Sequence, residues 1–250
     1  MKLILEPQYC SVLQDFVREA AALVFDFDGT LAAIVQDPTE AFMRPSTARL
    51  LRYASLEFPC AILSGRARQD VINRIVGIPV KCTVGNHGLE WDPPRPEFEK
   101  YREQVKGWLP LLTKLLKPLR GVELEYKGFS ISIHYRKSEA PERVFLAIGD
   151  AISQIGAIDI IGGKEVVNCL PHGAPTKGEA LAEICNLLNC RKVVYVGDDV
   201  TDETAFRTKS YYELLGIRVG CKRDSHAGFC IQYQYEIDEL LKALLLFRNK

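Results

Sequence analysis

The segment Ala21-Ala22-Leu23-Val24-Phe25-Asp26-Phe27-Asp28-Gly29-Thr30-Leu31 decides how this chain is interpreted. Its apolar half is too short for a helix and ends at a turn signal, so the pattern predicts a buried strand. In an open parallel sheet, chemistry takes place beyond the carboxyl ends of the strands. Asp26 and Asp28 stand at that end, and side chains two residues apart in extended chain leave on the same side. Taken alone, an Asp-x-Asp pair is equally compatible with a solvated turn, so its meaning depends on the rest of the sequence.

Buried strands alternate with helices on both sides of this segment. Helices are predicted at residues 7–20, 46–57 and 67–76, and strands at 59–63 and 80–84. Later in the chain, Thr176 and Glu179 form the pattern of a capping box that opens a helix. It is followed by strands at 192–196 and 217–219 and by a closing helix at 236–247. Alternation of this kind is typical of an α/β fold with a parallel sheet.

A different pattern interrupts this alternation. The break Trp91-Asp92-Pro93-Pro94-Arg95-Pro96 is rich in proline. After it the sequence predicts a helix at 97–118, kinked or split at Pro110, two strands, a second helix and two further strands joined near Lys164, which is interpreted as a turn residue. We therefore expect a core formed by residues 1–90 and 171–250, with an inserted α+β domain at 91–170.

Composition excludes several classes of function. The 250 residues are 47% hydrophobic and 26% charged, with formal net charge zero, so nothing draws the whole molecule to nucleic acid or to a membrane. The sequence shows neither a membrane-spanning run nor a signal pattern at its N-terminus. Its eight cysteines form no C-x-x-C pair and are interpreted as reduced, in a cytoplasmic protein. The oligomeric state stays open, with a monomer as one candidate.

Polar groups with complementary chemistry end the predicted core strands or begin the helices that follow them. They are Asp26 with Asp28, Ser64-Gly65-Arg66, Lys177-Gly178, and Asp198 with Asp199 and Asp202. Mg²⁺ prefers carboxylate oxygens, waters and a phosphate oxygen as ligands. A hydroxyl and amides at a helix start, together with an ammonium group, bind phosphate. The set therefore suits a phosphate with a divalent cation.

In this order, the motifs resemble those of the haloacid dehalogenase-like (HAD) superfamily, and more narrowly of the trehalose-6-phosphate phosphatase family. The pieces that carry the resemblance are Asp26-Phe27-Asp28-Gly29-Thr30, Ser64-Gly65-Arg66, Gly85-Asn86-His87-Gly88, Lys177-Gly178 and Gly197-Asp198-Asp199-Val200-Thr201-Asp202-Glu203. The resemblance covers nearly the whole chain. It implies a Rossmann-like core with a parallel sheet, an inserted αββαββ cap domain, and Mg²⁺-dependent hydrolysis of a sugar phosphate.

The resemblance also implies roles for individual residues. Asp26 would accept the phosphoryl group as an aspartyl-phosphate, Asp28 would act as general acid and base, and Lys177 would screen the charge. The side chains of Asp26 and Asp198 and the backbone carbonyl of Asp28 would bind Mg²⁺. Asp199 and Asp202 are expected to orient the ligands and Lys177 rather than to bind the metal.

Further residues are candidates for contact with phosphate or sugar. They are Ser64, Gly65, Arg66, Asn86 and His87 in the core, and Glu125 and Arg136 in the insertion. For three of them a plain structural role is an open alternative: His87 as a hydrogen-bonded loop residue, Arg66 as a helix-start charge, and Arg136 as part of a strand surface.

One departure from the family leaves the sugar undecided. Where the family usually reads Glu-x-Arg-Pro, this chain has Asn168-Cys169-Leu170-Pro171, so both charged groups are missing. Trehalose 6-phosphate is the first substrate to consider. The alternatives are another glycosyl phosphate (glucosyl- or mannosyl-3-phosphoglycerate or sucrose phosphate), a phosphosugar mutase, or a sensor that binds sugar phosphate without catalysis.

Overall fold

The computed structural model describes residues 1–18, 21–163, 165–208 and 210–248. The last two residues of the predicted first helix and Lys164, interpreted as a turn residue, lie outside this description. The chain divides into two compact units. The core unit comprises Met1–Asp92 and Pro175–Lys250, and the inserted unit comprises Pro93–Ala174.

The strands, in chain order, are β1 (Lys2–Leu3), β2 (Ala21–Phe25), β3 (Cys60–Leu63), β4 (Cys82–Val84), β5 (Glu123–Tyr126), β6 (Ile131–His134), β7 (Ile158–Gly163), β8 (Val166–Pro171), β9 (Lys192–Gly197), β10 (Glu213–Val219) and β11 (Phe229–Ile231). The α-helices are α1 (Cys10–Arg18), α2 (Pro45–Glu57), α3 (Arg68–Arg74), α4 (Glu99–Leu116), α5 (Pro141–Ser153), α6 (Lys177–Leu187), α7 (Asp202–Phe206) and α8 (Ile237–Arg248).

The core unit is built on a parallel sheet with β2 near its centre. Within the described residues the sheet has seven strands in the order β1-β11-β10-β9-β2-β3-β4. Every residue of β2 is buried, as the apolar run predicts. Leu23 and Phe25 join a cluster with apolar residues of α1, α2 and α8, whereas Tyr195, on the other face of β9, reaches α7. Helices thus cover both faces, and the polar strand ends form one edge.

On the side of the sheet beyond β9, the structure has more strands, and a longer β10, than the sequence predicts. β1 and β11 are not predicted, and β10 begins at Glu213 rather than at residue 217. β1 and β11 span only two and three residues, too few to establish a periodic pattern. Their pairing gives the chain near Met1 a place at the sheet edge beside β11.

The inserted unit has helices on one face of an antiparallel sheet. In the described part of this unit the strand order is β5-β6-β8-β7. Ile131, Ile133 and Val167 pack against Trp108 of α4 and Ile148 of α5 in a separate apolar cluster. This is the α+β arrangement that the sequence predicts.

The predicted split at Pro110 is wrong, because α4 is continuous through it, and a kink there stays a prediction. Proline removes the hydrogen bond to the carbonyl four residues earlier, here that of Lys106. Both Pro110 and Lys106 are exposed, so water can satisfy that carbonyl and the helix need not break.

The expectation that every cysteine is reduced is also wrong, because Cys221 and Cys230 form a disulfide. Cys221 follows β10 and Cys230 lies in the neighbouring β11, which brings their Cα atoms to 5.4 Å. Because β11 is not predicted from the sequence, this proximity cannot be predicted either. The remaining cysteines carry thiols rather than disulfides: Cys10, Cys60, Cys82, Cys169, Cys185 and Cys190.

None of the helices in the described ranges has the length and apolar character needed to cross a bilayer.

Candidate active site

Carboxylates from two neighbouring strands meet at the edge of the core sheet. Asp26 directly follows β2, and its amide donates to the carbonyl of Val196 in β9 (2.9 Å). Asp198 directly follows β9, and Asp202 opens α7 four residues later. One carboxylate oxygen from each of these three aspartates lies within 4.8 Å of the others. The parallel pairing of β2 and β9 therefore brings together residues that are far apart in sequence.

Lys177 places a buried positive charge among these carboxylates. It is the first residue of α6, and the predicted capping box is confirmed: Thr176 Oγ1 accepts from the Glu179 amide (3.3 Å) and Glu179 Oε2 accepts from the Thr176 amide (2.8 Å). Lys177 Nζ lies 2.9 Å from Asp26 Oδ1 and 2.7 Å from Asp202 Oδ1. The cap fixes where the helix begins and hence where this ammonium group lies.

Asp202 is fully buried and occupied by protein donors. Its Oδ1 accepts from Lys177 and from the Tyr195 hydroxyl (2.6 Å), and its Oδ2 accepts from the Asp199 amide (2.8 Å). A Cβ at Gly197 would lie 2.3 Å from Asp202 Cγ, so glycine is needed there for the carboxylate to approach. These contacts suit an anchor for Lys177 and for the chain after β9, the role expected for Asp202.

The cluster has three carboxylates and one ammonium group, and the repulsion between the carboxylates contributes to the raised pKa values of Asp26 and Asp198. Burial raises the pKa of Asp26 to about 7, although the neighbouring Lys177 lowers it. Burial, with the charges of Asp26 and Asp202, raises the pKa of Asp198 to about 9. Burial alone would lower the pKa of Lys177, but Asp202 and Asp26 raise it above its usual value, so the ammonium stays charged. An additional cation beside Asp26 and Asp198 would relieve the repulsion.

The donor set fits a magnesium ion. Asp198 Oδ1 is buried and has no hydrogen-bond partner among the described residues. A Cβ at Gly29 would lie 2.0 Å from Asp198 Oδ2, so the backbone after Asp28 runs directly against this carboxylate. Carboxylate and carbonyl oxygens are the ligands that Mg²⁺ prefers. Since Asp202 is already occupied, Asp26, Asp198 and the peptide after Asp28 are the better candidates for ligands.

Asp28 is held in a different way from Asp26. Its side chain is 38% exposed, and both of its oxygens accept from Arg66: Nε to Oδ2 at 2.6 Å and Nη2 to Oδ1 at 2.7 Å. Arg66 also donates to Asp70 Oδ2 (2.7 Å) and to the Pro38 carbonyl (2.8 Å). Arg66, expected to contact substrate, is here the residue that fixes the direction of Asp28.

The loops that follow β3 and β4 are hydrogen-bonded to each other, and the first of them carries Arg66, the partner of Asp28. The His87 amide donates to the Ser64 carbonyl (3.0 Å), and the Asn86 amide donates to the Arg66 carbonyl (2.7 Å). A Cβ at Gly65 would lie 2.4 Å from the His87 ring, so this packing requires glycine. Asn86 and His87 both have positive φ, 49° and 58°. Backbone in this region is uncommon for residues other than glycine, and such residues cluster at functional sites.

Asn86 also has a side-chain anchor, since its Nδ2 donates to Glu90 Oε2 at 2.7 Å. Ser64 is buried, and its Oγ accepts from the Arg66 amide at 3.2 Å. The half-buried Asp199 contributes its amide to Asp202. The core residues singled out from the sequence are therefore tied into the same strand-end network.

The remaining predicted residues belong to the inserted unit. Glu125 Oε2 lies 2.9 Å from His134 Nε2, and Arg136 Nε lies 3.2 Å from Glu165 Oε2. Both pairs are partly exposed, the first on the sheet and the second in the turns after β6 and before β8. The assignment of Glu125 and Arg136 to sugar binding stays a prediction.

Asn168 is held inside the same sheet. Its Oδ1 accepts from the Ser132 hydroxyl at 2.5 Å, and its Nδ2 lies 3.4 Å from the Ile161 carbonyl. Ser132 is completely buried, although it alternates with Ile131 and Ile133 and so faces away from the apolar cluster; its register partners are Glu125 of β5 and Asn168 of β8.

Sequence reasoning missed two residues of this network, Tyr195 and Arg218. Both are buried in strands of the core sheet, Tyr195 bonded to Asp202 and Arg218 to the carbonyls of Asp198 and Asp199. The available signal was a polar side chain inside an otherwise apolar strand, because such a group needs a partner when buried.

Comparison with known proteins gives a consistent result. The family model described as trehalose-phosphatase matches residues 24–229. A probable trehalose-phosphate phosphatase 4 of Oryza sativa subsp. japonica is 31% identical over 247 residues, which cover 91% of this chain and 66% of the relative. The trehalose-phosphate phosphatase of Mycobacterium leprae is 32% identical over 230 residues, covering 85% and 53%. The chain thus spans about half to two thirds of the length of these relatives.

Solved structures share the fold. A trehalose-6-phosphate phosphatase related protein has a TM-score of 0.73 at 20% identity, covering 92% of this chain and 100% of that one. The C-terminal domain of the C. albicans trehalose-6-phosphate phosphatase has a TM-score of 0.70 at 20% identity, covering 94% and 96%. The predicted fold class, a HAD-like α/β core with a parallel sheet and an α+β insertion, is confirmed.

Proposed function

Because the chain belongs to the trehalose-phosphatase family, we propose that it hydrolyses trehalose 6-phosphate to trehalose and phosphate. The observation that supports this most strongly is the position of Asp26, a buried carboxylate at a strand end, 2.9 Å from the ammonium of Lys177. A carboxylate that attacks a phosphate must be ionised and shielded from the substrate's charge. Lys177 lowers the pKa of Asp26 and offsets its charge, and a cation beside Asp26 would favour the ionised form further.

In the first step, a carboxylate oxygen of Asp26 attacks the phosphorus atom and the bond to the sugar oxygen breaks. Asp28 donates a proton to that oxygen, so trehalose leaves as a neutral alcohol. Each Asp28 oxygen accepts one hydrogen bond from Arg66 and keeps a second lone pair, so Asp28 can carry the proton while Arg66 orients it. Lys177 stays protonated and offsets the charge that gathers around Asp26.

In the second step, water attacks the phosphorus atom of the phosphoryl group on Asp26. Asp28 accepts the proton from this water, and the bond to the Asp26 oxygen breaks to release phosphate. The hydroxyl of Ser64 is proposed to donate to a phosphoryl oxygen, since Ser64 is buried where β3 ends. Both carboxylates then return to their starting state.

The proposal includes a magnesium ion held by Asp26, Asp198 and the backbone carbonyl of Asp28. When bound, it would neutralise charge on the transferring phosphoryl group and orient it. The orphaned Asp198 Oδ1 and the raised pKa values of Asp26 and Asp198 support such a site. Asp202 and Asp199 would then hold the surrounding chain in place.

The inserted unit is proposed to select the sugar, with residues 91–170 as the specificity domain and 1–90 with 171–250 as the catalytic one. Glu125 and Arg136 are its proposed sugar contacts. A second candidate, another glycosyl phosphate, is favoured by Asn168, whose amide is occupied by Ser132 and lies against the Ile161 carbonyl. A neutral amide that is already hydrogen-bonded within the protein has less capacity to bind sugar hydroxyls than the charged Glu and Arg that are usual in the family.

A panel of sugar phosphates tests the proposal. Phosphate release would be measured with Mg²⁺ from trehalose 6-phosphate, sucrose 6-phosphate, glucosyl-3-phosphoglycerate and mannosyl-3-phosphoglycerate. We expect the highest kcat/KM for trehalose 6-phosphate. A higher value for another substrate would transfer the assignment to it, and no release from any would leave the sensor alternative.

A further inference from the structure

Arg218 lies next to the carboxylate cluster but belongs to a strand that supplies none of its carboxylates. It is 2% exposed, in β10, where it is paired in register with Gly197 of β9. One guanidinium nitrogen, Nη2, donates to the Asp198 carbonyl, and Nη1 lies 3.2 Å from the Asp199 carbonyl. The guanidinium therefore binds the backbone of the two residues that follow β9.

A second set of contacts fixes the guanidinium itself. Nη1 also donates to Glu203 Oε1 at 2.9 Å. Glu203 in turn accepts from the Ser225 hydroxyl (2.7 Å) and from the His226 amide (2.8 Å). Burial alone would raise the pKa of Glu203, but these hydrogen bonds and Arg218 lower it, so the pair is ionised. Arg218 is thus held rigidly from one side while it holds the loop from the other.

We propose that Arg218 is a positioning residue for metal binding, which turns the carbonyls of Asp198 and Asp199 towards itself and so directs the Asp198 carboxylate at the ion. This inference rests on the metal site of the proposed function.

The geometry of the Asp198 peptide gives the reason. With its carbonyl fixed by Arg218, the Asp198 backbone cannot rotate without breaking a hydrogen bond to a buried charge. Its carboxylate then stays against the backbone after Asp28 with Oδ1 unpartnered, ready to bind. Without Arg218, the Asp198 carboxylate could turn away from Asp26 and reduce their repulsion, which would lower the affinity for a cation.

The test is Mn²⁺ binding to the full chain after removal of metal with EDTA, followed by electron paramagnetic resonance. We expect Arg218→Met to raise Kd for Mn²⁺ by about 10–100-fold, the usual effect of removing a group that orients a metal ligand. Arg218→Lys should give a Kd between those of the wild type and Arg218→Met, because a compact ammonium keeps the charge but lacks the planar fork with which the guanidinium spans its acceptors. At saturating Mg²⁺, kcat should be largely restored while the Mg²⁺ concentration for half-maximal rate stays raised.

Arg44→Met is the matched control. Arg44 also donates to a backbone carbonyl, that of Tyr235 (2.9 Å), and to a carboxylate, that of Asp238 (3.0 Å), but it joins α2 to α8. It should lower Tm without changing Kd for Mn²⁺. If Arg218→Met also lowered Tm and kept the wild-type Kd, Arg218 would be structural only and the inference would be wrong.

If Arg218→Met does not fold, Glu203→Gln tests whether the position of Arg218 affects metal binding. It keeps Arg218 but removes the charge that anchors it, and we expect a raised Kd; the wild-type Kd would overturn the inference. A wild-type chain that bound no Mn²⁺ would contradict the proposed metal site as well. If the wild type binds Mn²⁺ and hydrolyses substrate but the variants have the wild-type Kd, only the role of Arg218 is contradicted. The proposed function then stands.

Discussion

Asp26 and Asp28 stand two residues apart, yet their surroundings differ in every respect that matters for chemistry. Asp26 is 4% exposed and shares Lys177 with Asp202. The Asp28 side chain is 38% exposed and paired with Arg66. Two carboxylates of one motif can serve as nucleophile and as proton carrier only if their environments separate them. The proposed division of roles rests on position: Asp26 is buried beside Lys177 at the strand end, and Asp28 stands at the exposed side of the site.

Arg66 gives a prediction at the scale of a single residue. Arg66→Ala releases Asp28 from a two-point contact, so Asp28 should lose its direction. We expect kcat to fall about tenfold or more, since a well-placed general acid contributes about 10²–10⁴-fold. Kd for Mn²⁺ should not change, because Arg66 touches none of the three clustered carboxylates. Steady-state kinetics and Mn²⁺ titration measure the two effects.

Arg68→Ala is the control for this prediction. Arg68 follows Arg66 by two residues but binds Asp92 and the Thr83 carbonyl instead. Its kcat should stay close to that of the wild type. Equal losses in both variants would show that the helix start matters as a whole and that Arg66 has no particular role.

At the scale of the element, the N-terminus of α6 determines where Lys177 lies. Thr176 and Glu179 cap the helix reciprocally, and Lys177 follows the cap directly. Thr176→Ala should lower the free energy of unfolding by about 1 kcal/mol, the usual effect of removing an N-cap side chain. In a chain of this length, about 1 kcal/mol corresponds to a fall in Tm of roughly 2–4 °C.

We expect only a small change in kcat from this variant, because Asp26 and Asp202 still hold the ammonium. Thermal unfolding and kinetics on the same preparation separate the two quantities. An unchanged Tm would contradict the importance of the cap, and a large loss of kcat at unchanged Tm would show that Thr176 has a direct part in catalysis.

Elements with a strong local pattern could be predicted from the sequence. The apolar run of β2, the capping box of α6 and the carboxylates after β9 each have a signature within a few residues. β1, β11 and the disulfide between Cys221 and Cys230 depend on pairing between distant segments, which leaves no such signature. Arg218 and Tyr195 could be suspected as buried polar groups, but their partners follow only from strand order.

At the scale of the whole molecule, the buried carboxylates make stability depend on pH. The pKa values of Asp26 and Asp198 are about 7 and about 9 in the folded chain and 3.8 for an ordinary aspartate. Between those limits the folded state binds more protons at these two groups than the unfolded state does, so their contribution to stability falls as pH rises from about 4 towards 9.

Each extra proton that the folded state binds lowers stability by about 1.4 kcal/mol per pH unit. From pH 6 to pH 8 the two carboxyls together lose about 4 kcal/mol of stability, so in EDTA we expect Tm to fall by roughly 8–16 °C. Mg²⁺ should reduce this fall, because a cation beside Asp26 and Asp198 favours their charged forms. In EDTA, Asp198→Asn should also reduce the fall in Tm between the two pH values, because it removes one of the two titrating carboxyls. Calorimetry at the two pH values measures the effect, and equal slopes with and without Mg²⁺ would contradict the cluster as a cation site.

The most direct test of the whole account is phosphate release from trehalose 6-phosphate by the wild type, Asp26→Asn and Asp224→Asn, each with Mg²⁺ and with EDTA. Asp224 is an exposed aspartate outside the cluster and serves as control. We predict Mg²⁺-dependent release by the wild type and Asp224→Asn, and a loss of about 10³-fold or more in Asp26→Asn with its Tm retained. Turnover by Asp26→Asn at the wild-type rate would contradict Asp26 as the nucleophile and with it the proposed two-step hydrolysis.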